Sequence, residues 1–256
     1  MSNKHRLPLP LFALLAGGIS MSASADSINM GVSFAIPPYV IQQNNSGLEL
    51  EILKHALARR GHMTVVHYLP LARTFRELKE GQLDGIINTQ PHMLDGVYYS
   101  DEVIRFHNCV FTLASRDLSI TSLADLKGKS VVAFQKASKL LGTEFGTIVA
   151  QQPSYNEVAT QKQQLFLLFK GRVDAIILER SIFGYYRKQE VDDGFKAALA
   201  QVKEHCIFPP TDYRFAFRSE QIRDDFNAGL KEITDDGTLH ALQLKYRDMM
   251  ELPTEY

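Results

Sequence analysis

The sequence predicts an α/β protein of two lobes, each a mostly parallel sheet flanked by helices, joined by two crossing hinge strands. Short β-type runs alternate with helical patterns along the chain, and this alternation is typical of parallel sheets covered by helices. Residues 78–87 (LKEGQLDGII) are echoed by residues 168–177 (LFKGRVDAII). Apolar, extended segments at residues 109–116 and 206–217 supply the two crossings.

Each copy of the echo predicts a helix that ends at a glycine, turns through an aspartate and enters a buried strand. Gly81 and Gly171 suit the left-handed backbone that terminates a helix. The small residue after each aspartate allows close packing of the strand. Chance similarity between two ordinary helix–strand joints is the alternative, and two lobes on one plan is the interpretation we prefer.

The first half of the chain predicts a strand–helix–strand–helix–strand unit. Residues 28–33 form a short apolar strand, and residues 47–60 carry apolar side chains at helical spacing. Gly61 follows at the position that ends a helix. A strand at 63–69, a helix at 72–80 and a strand at 84–87 complete the unit.

The second half of the chain repeats this alternation of strands and helices, and we assign residues 113–212 to lobe 2. Its predicted helices are a short capped one at 122–128 and longer ones at 137–149, 160–170 and 180–189. Its predicted strands are residues 130–134 and 175–178. Because two crossings return the chain to its starting lobe, residues 213–256 join residues 26–112 in lobe 1.

The first 25 residues read as a secretory signal peptide. Residues 1–6 are basic, residues 7–19 are apolar, and Ala23-Ser24-Ala25 supplies a cleavage site of small residues. A buried N-terminal helix is the alternative. Cleavage after Ala25 leaves about 230 residues, enough for one large domain or two of ordinary size. We therefore expect a soluble periplasmic protein.

The composition and charge of the chain argue against some classes of partner. The chain is 45% hydrophobic and 22% charged, as globular proteins are. Its net charge is -1, with no long run of either sign, so we expect no nucleic-acid or anionic-membrane partner. Cys109 and Cys206 form either one disulfide or two buried thiols, and the oxidising compartment favours the disulfide.

An ordered set of motifs resembles family 3 of the periplasmic solute-binding proteins, the polar amino-acid-binding class that feeds ABC importers. The resemblance runs from about residue 28 to about residue 247. No single motif is specific, and the order and spacing carry the likeness. The motifs are Ile36-Pro37-Pro38-Tyr39, Gly47-Leu-Glu-Leu-Glu51-Ile, Leu78-x-x-Gly81-x-x-Asp84, Tyr99-Ser100-Asp101, Leu123-x-x-Leu126-x-Gly128-Lys129-x-Val131 and Leu168-x-x-Gly171-x-x-Asp174-Ala175.

The resemblance implies a ligand site between the lobes. Tyr39 stands where an aromatic ring packs on the ligand, and Glu179 stands where an aspartate binds the ligand's amino group. Their alternatives are a surface tyrosine and a charge that favours the start of a helix. Lys136 and Ser138, at the start of a helix, are candidates for an anion, although Ser138 could be a cap alone.

The chain departs from the family in the first lobe. Where the family reads Thr-Pro-Glu-Arg, with arginine clamping a carboxylate, this chain reads Gln90-Pro91-His92-Met93. Arg73 is the best substitute cation, and its alternative is a solvated helix charge. Asn88 and Thr89, directly before this segment, complete the set of candidate ligand-binding residues.

The function implied is capture of a small polar solute, an amino acid or a related amine or carboxylate, for an ABC importer. We expect a monomer whose partner is a membrane permease, without a cofactor, a metal ion or a membrane segment of its own. One alternative is a periplasmic enzyme resembling the dehydratases of cyclic acids, with Glu179 and Lys136 or Arg73 as acid and base. Another is a sensor that docks on a membrane receptor.

Overall fold

The computed structural model describes residues 27–32, 36–91 and 93–250. The predicted signal peptide, its cleavage site and His92 lie outside the described residues. The strands, in chain order, are β1 (Ser27–Val32), β2 (Met63–Tyr68), β3 (Gly85–Thr89), β4 (Tyr98–Tyr99), β5 (Ile104–Phe106), β6 (Asn108–Leu113), β7 (Val131–Phe134), β8 (Tyr155–Val158), β9 (Ala175–Glu179), β10 (Val202–His205) and β11 (Thr211–Phe217).

The helices cover both sheets. They are α1 (Leu48–Arg59), α2 (Leu71–Glu80), α3 (Ala137–Leu140), α4 (Thr143–Ala150), α5 (Gln161–Phe169), α6 (Arg180–Asp192), α7 (Glu220–Asp235) and α8 (Thr238–Asp248). The predicted helix at 137–149 is divided, because the chain turns at Gly142 with a φ of 101°. Among the described residues, no helix is both long enough and apolar enough to span a bilayer.

Two sheets form the two lobes. The first sheet has the order β2-β1-β3-β11-β4, with β5 also pairing with β11, and the second has the order β10-β6-β9-β7-β8. In each sheet three neighbouring strands run parallel, and one further strand, β11 in the first sheet and β6 in the second, runs antiparallel to them. Two sheets flanked by helices confirm the predicted fold class, and each of these antiparallel strands begins directly after a crossing between the lobes.

Two edge strands of the second sheet, β8 and β10, were missed by the sequence-based assignment. Each lies at one end of the sheet and has no fully buried residue. Their polar side chains, such as Asn156 and Glu204, conceal the alternation of apolar residues that marks a half-buried strand.

The chain crosses between the sheets at His107 and at residues 206–210. The strand before His107 pairs in the first sheet, and β6 pairs in the second sheet with β9 and β10. Residues 108–112, which the sequence assigned to lobe 1, thus belong to the second sheet, and residues 211–212 belong to the first. We place the boundaries at the crossings themselves, because sheet pairing decides which lobe a strand moves with.

The final helices return to the first lobe. Helix α7 packs along α1, and α8 contacts both. The approach is closest at Gly229, where a Cβ atom would lie 1.9 Å from the carbonyl oxygen of Ala56. Any other residue at this position would push the two helices apart.

The two echoed segments form the same joint in both lobes. The Asp84 carboxylate accepts a hydrogen bond from the backbone N–H of Asn29, 2.7 Å away, on the neighbouring parallel strand. The Asp174 carboxylate accepts one from the N–H of Ser130, 2.8 Å away, just before the neighbouring strand of the second sheet. The repeated aspartate therefore fixes the end of a parallel strand in each lobe.

A disulfide bond ties the two crossings together. Cys109 on β6 and Cys206 directly after β10 are joined with a Cα–Cα distance of 4.3 Å, across 97 residues of sequence. Cys109 is fully buried, and Cys206 is exposed. Cys206 lies on the second connection and Cys109 lies on β6, two residues after the first connection at His107, so the bond holds the two connections close together.

Removing this disulfide is expected to destabilise the protein. A bond that closes a loop of this length restricts the unfolded chain, and its loss typically costs roughly 2–4 kcal/mol. Urea denaturation of the Cys109→Ala/Cys206→Ala variant, compared with oxidised and reduced wild type, measures the loss. Equal stability of oxidised and reduced wild type would contradict the expectation.

Candidate functional site between the lobes

Glu179 ends the central strand β9 and begins helix α6. One carboxylate oxygen accepts hydrogen bonds from the N–H groups of Ser181 and Ile182, at 2.8 and 3.0 Å. The other accepts one from the N–H of His107, 3.5 Å away on the first crossing. Burial raises the pKa of Glu179 to about 7, against the lowering effect of these backbone hydrogen bonds. The Glu179 carboxylate therefore both caps α6 and accepts a hydrogen bond from the first crossing between the lobes.

Tyr39 reaches Glu179 from the first lobe. It lies in the loop after β1, directly after a cis peptide bond between Pro37 and Pro38, and is 4% exposed. Its hydroxyl faces the carboxylate of Glu179 and the hydroxyl of Ser181. Burial, and then the charge of Glu179, raise the pKa of the Tyr39 phenol. The two lobes thus meet at the pair of residues that the sequence placed in the ligand site.

Three aromatic rings line this meeting point. The ring centroids of Tyr39 and Phe106 are 4.7 Å apart, and those of Phe106 and Tyr213 are 4.8 Å apart, both pairs tilted. Phe106 and Tyr213 lie on the strands that lead into and out of the crossings. Tilted rings at these spacings attract one another, so they form a firm wall at the hinge.

A second buried acid, Glu49, lies beside the same ring. Its backbone N–H donates to the carbonyl oxygen of Tyr39, 3.0 Å away. Its side chain is 0% exposed, and neither carboxyl oxygen has a hydrogen-bond partner. Burial raises its pKa to about 8. Burial is the main cause of the raised pKa of the Tyr39 and Tyr213 phenols, and the charge of Glu49 adds to it.

Gly47 permits this approach. The residue precedes α1 with a φ of 124°, and a Cβ atom would lie 2.2 Å from the Tyr39 carbonyl oxygen. A side chain here would separate the helix from the loop. The glycine of the Gly47-Leu-Glu-Leu-Glu51 motif therefore positions Glu49 against Tyr39.

Asn88 and Thr89 end β3 in the first lobe. The Thr89 hydroxyl donates a hydrogen bond to the carbonyl oxygen of Arg214, 2.8 Å away on β11. Asn88 has a φ of 59°, unusual for a residue with a side chain, and its amide oxygen is buried with no partner. Thr89 is thus held within the sheet, and Asn88 offers a free acceptor at the strand end.

The predicted anion site in the second lobe is filled by the protein itself. The carboxylate of Glu157 accepts hydrogen bonds from the N–H of Lys136 at 2.6 Å, the N–H of Ser138 at 2.8 Å and the hydroxyl of Tyr155 at 2.9 Å. Burial acts to raise the pKa of Glu157, but these hydrogen bonds outweigh it and the pKa is lowered. The Lys136 side chain is exposed.

An open groove of about 830 Å³ adjoins Glu157 along α4. Ser138, Thr143, Thr147 and Tyr155 are among its lining residues, and Tyr39, Glu49 and Glu179 are not. It is therefore separate from the meeting point of the lobes.

Arg73 is engaged with its own helix. It is in the first turn of α2, its side chain is 55% exposed, and its Nε donates to Glu77, 2.5 Å away. Met93, in place of the family's arginine, is exposed. Among the described residues, no hydrogen bond or ion pair joins Arg73 or Met93 to Tyr39 or Glu179.

His107, Cys109 and Cys206 are close enough together to resemble a metal site, with their ligand atoms within 4.8 Å of one another. Both sulfur atoms belong to the disulfide, so neither is a thiolate that could bind a metal ion.

Sequence reasoning missed Glu49, Phe106, Tyr213 and Glu157. For Glu49 a signal existed, because residues 49, 52, 53, 56 and 57 share one helix face and the last four are apolar. An acid that heads such a stripe is predicted to be buried. For Glu157 no signal existed, because its strand was itself missed.

The chain is similar in sequence to known solute-binding proteins. The sequence profile of the bacterial extracellular solute-binding proteins, family 3, matches residues 28–249. The arginine-binding extracellular protein ArtP of Bacillus subtilis (strain 168) is 26% identical over 254 residues, covering 92% of each chain.

Solved structures share the fold. An ancestral arginine-binding protein bound to arginine has a TM-score of 0.66 and 20% identity, over 86% of this chain and 97% of its own. An ancestral amino-acid-binding protein, a precursor of cyclohexadienyl dehydratase, has a TM-score of 0.65 and 19% identity, over 86% of this chain and 95% of its own. Both are two-lobed binding proteins, as predicted for this chain.

The buried acid Glu49 predicts a pH-dependent stability. Between pH 4.5 and about pH 8, the Glu49 carboxyl is protonated in the folded chain and ionised in the unfolded chain. The contribution of Glu49 to the stability of the folded protein is therefore highest at low pH and is lost as the pH rises to 8. Glu49→Gln is therefore expected to stabilise the protein at pH 8 by roughly 1–4 kcal/mol and to change little at pH 4.5. Urea denaturation at both pH values measures this.

The matched control is Glu51→Gln, two residues along the same helix, where the carboxylate pairs with Lys245 at the surface. Its effect is expected to lack the gain at pH 8. A Glu49→Gln effect of equal size at both pH values would mean that Glu49 is not buried as an acid.

Glu157 predicts the opposite pH trend. Because its folded pKa is lowered, it stabilises the protein above its ordinary pKa, and this contribution is lost as the pH falls below 4.5. Glu157→Ala removes the acceptor of two backbone N–H groups and is expected to cost about 1–3 kcal/mol at pH 7. Tyr155→Phe, which removes one hydroxyl donor, is expected to cost less. No loss in Glu157→Ala at pH 7 would count against this role.

Proposed function

The chain belongs to family 3 of the bacterial extracellular solute-binding proteins, and on that premise we propose that it captures a small solute with a cationic nitrogen between its lobes. We propose that this role is solute binding without catalysis, and that a monomeric protein delivers the solute to a membrane ABC permease. The leader at residues 1–25 supports release into the periplasm after cleavage at Ala25.

The observation that carries this proposal is the meeting of Tyr39 and Glu179 across the lobes. A carboxylate has about four acceptor positions. In Glu179 backbone N–H groups use three of them, and the Tyr39 hydroxyl faces the fourth. A ligand ammonium or guanidinium is suited to take the place of that hydroxyl, with the Tyr39 ring turning to pack on it.

Closure follows from the same geometry. Tyr39 moves with the first lobe and Glu179 with the second, so a ligand held by both favours the closed arrangement. Two crossings at His107 and residues 206–210 supply the hinge.

The charge pattern favours cations over carboxylates. Both buried acids of the cleft attract positive charge, whereas the amides of Lys136 and Ser138 already bind Glu157, and Arg73 binds Glu77. The arginine bound by ArtP and by the ancestral protein fits this class of ligand. We therefore propose an amine or a cationic amino acid as the solute.

Binding is expected to depend on Glu179 and Tyr39 and to be insensitive to Arg73. Glu179→Gln is expected to weaken binding of arginine or an alkylamine about 10- to 100-fold, because a charge-assisted hydrogen bond is lost. Tyr39→Ala is expected to weaken it about tenfold. Isothermal titration calorimetry of each variant, with its unliganded melting temperature as a folding check, gives the affinities.

Arg73→Ala is the matched control and is expected to change affinity less than about threefold, because its charge is already paired. Loss of binding in Arg73→Ala with none in Glu179→Gln would overturn the proposal. Mass spectrometry of the recovered ligand separates binding from catalysis, since a binding protein returns its ligand unchanged.

A further inference from the structure

We propose that Glu49 is a second ligand-binding residue, and that the solute carries two separate cationic nitrogens, one for Glu179 and one for Glu49. A diamine or a guanidino amine has this chemistry. The inference rests on the proposed function, because it assigns a second group to the same cleft.

The protein offers Glu49 no partner of its own. Both carboxyl oxygens are buried and without a hydrogen bond, an expensive state for a group that accepts hydrogen bonds strongly. The nearest phenols have other neighbours, since the Tyr39 hydroxyl faces Glu179 and Ser181 and the Tyr213 hydroxyl faces Gln90. A donor brought by the ligand satisfies these oxygens.

Glu49 is fixed beside Tyr39 by its backbone. Its N–H donates to the carbonyl oxygen of Tyr39, 3.0 Å away. The charges of both Glu49 and Glu179 raise the pKa of the Tyr39 phenol, after burial. Two acids near one tyrosine suit a ligand with a positive charge at each end and an apolar chain between.

Asn88, at the end of β3 in the same lobe, also has a buried amide oxygen without a hydrogen-bond partner. Glu51, on the same helix as Glu49, is already paired with Lys245 and Tyr246, so it is not an equivalent candidate.

The experiment compares a diamine with a monoamine of the same chain length. The protein is purified from the periplasm and titrated with 1,4-diaminobutane, agmatine, arginine and butylamine in a calorimeter. Wild type is expected to bind 1,4-diaminobutane or agmatine about tenfold or more tightly than butylamine. In Glu49→Gln this preference is expected to fall below about threefold, with butylamine affinity unchanged. Glu51→Gln, the control, is expected to keep the preference.

Proton release gives an independent reading. Burial keeps the carboxyl of Glu49 protonated at pH 7, since its pKa is about 8, and a cation binding there displaces the proton. Titration in two buffers of different ionisation enthalpy is expected to show more proton release with the diamine than with butylamine, and Glu49→Gln is expected to abolish the difference. Tyr39, Tyr213 and Glu179 are the titratable groups that face Glu49 or its neighbouring ring, and all three are intact in both proteins.

The outcomes separate this inference from the proposed function. If wild type binds amines through Glu179 but Glu49→Gln keeps the diamine preference, Glu49 is not a ligand group and the proposed function stands. If none of the four probes binds wild type, both are overturned. Because glutamine matches glutamic acid in shape, folding of Glu49→Gln is expected, and its melting temperature checks this. Glu49→Asp, whose carboxyl is withdrawn by one methylene, is expected to lower the preference partway.

Discussion

The carboxylate of Glu179 is the interaction on which the relation of the two lobes depends. It accepts hydrogen bonds from the start of α6 and from the first crossing at His107, and it faces the hydroxyl of Tyr39 in the opposite lobe. A neutral side chain could cap the helix, but three N–H donors converging on one group favour a charge. Burial opposes that charge, and the resulting pKa of about 7 reflects the balance.

The two buried acids of the cleft differ in how they are satisfied. Glu179 accepts hydrogen bonds from three backbone N–H groups, whereas both carboxyl oxygens of Glu49 are buried without a hydrogen-bond partner. Backbone donors hold the first acid whether or not a ligand is bound, and so make it a structural part of the hinge. The second acid costs stability in the free protein, and such a cost is typical of groups kept for binding rather than for folding.

Much of the fold could be predicted from local patterns, because each lobe repeats one plan. The glycine–aspartate echo indicated equivalent joints, and Asp84 and Asp174 indeed make the same hydrogen bond to a neighbouring strand. Edge strands with polar surfaces escaped prediction. In the candidate site, Tyr39 and Glu179 lie close together across the lobes, whereas Arg73 is paired with Glu77. Whether a cation is free or paired depends on neighbours such as Glu77, which spacing alone does not reveal.

The proposed selectivity of this cleft for cations depends on the lack of free hydrogen-bond donors for a carboxylate as much as on the presence of acceptors for an ammonium. Family relatives clamp a carboxylate with arginine, but here methionine stands at that position, Arg73 is tied to Glu77, and Glu157 fills the amides of Lys136 and Ser138. A ligand carboxylate must therefore compete with an internal carboxylate that is already in place and costs no binding entropy. An ammonium meets no such competitor at Glu49. With the proposed ligand site, discrimination against anions is therefore present in the free protein before any ligand binds.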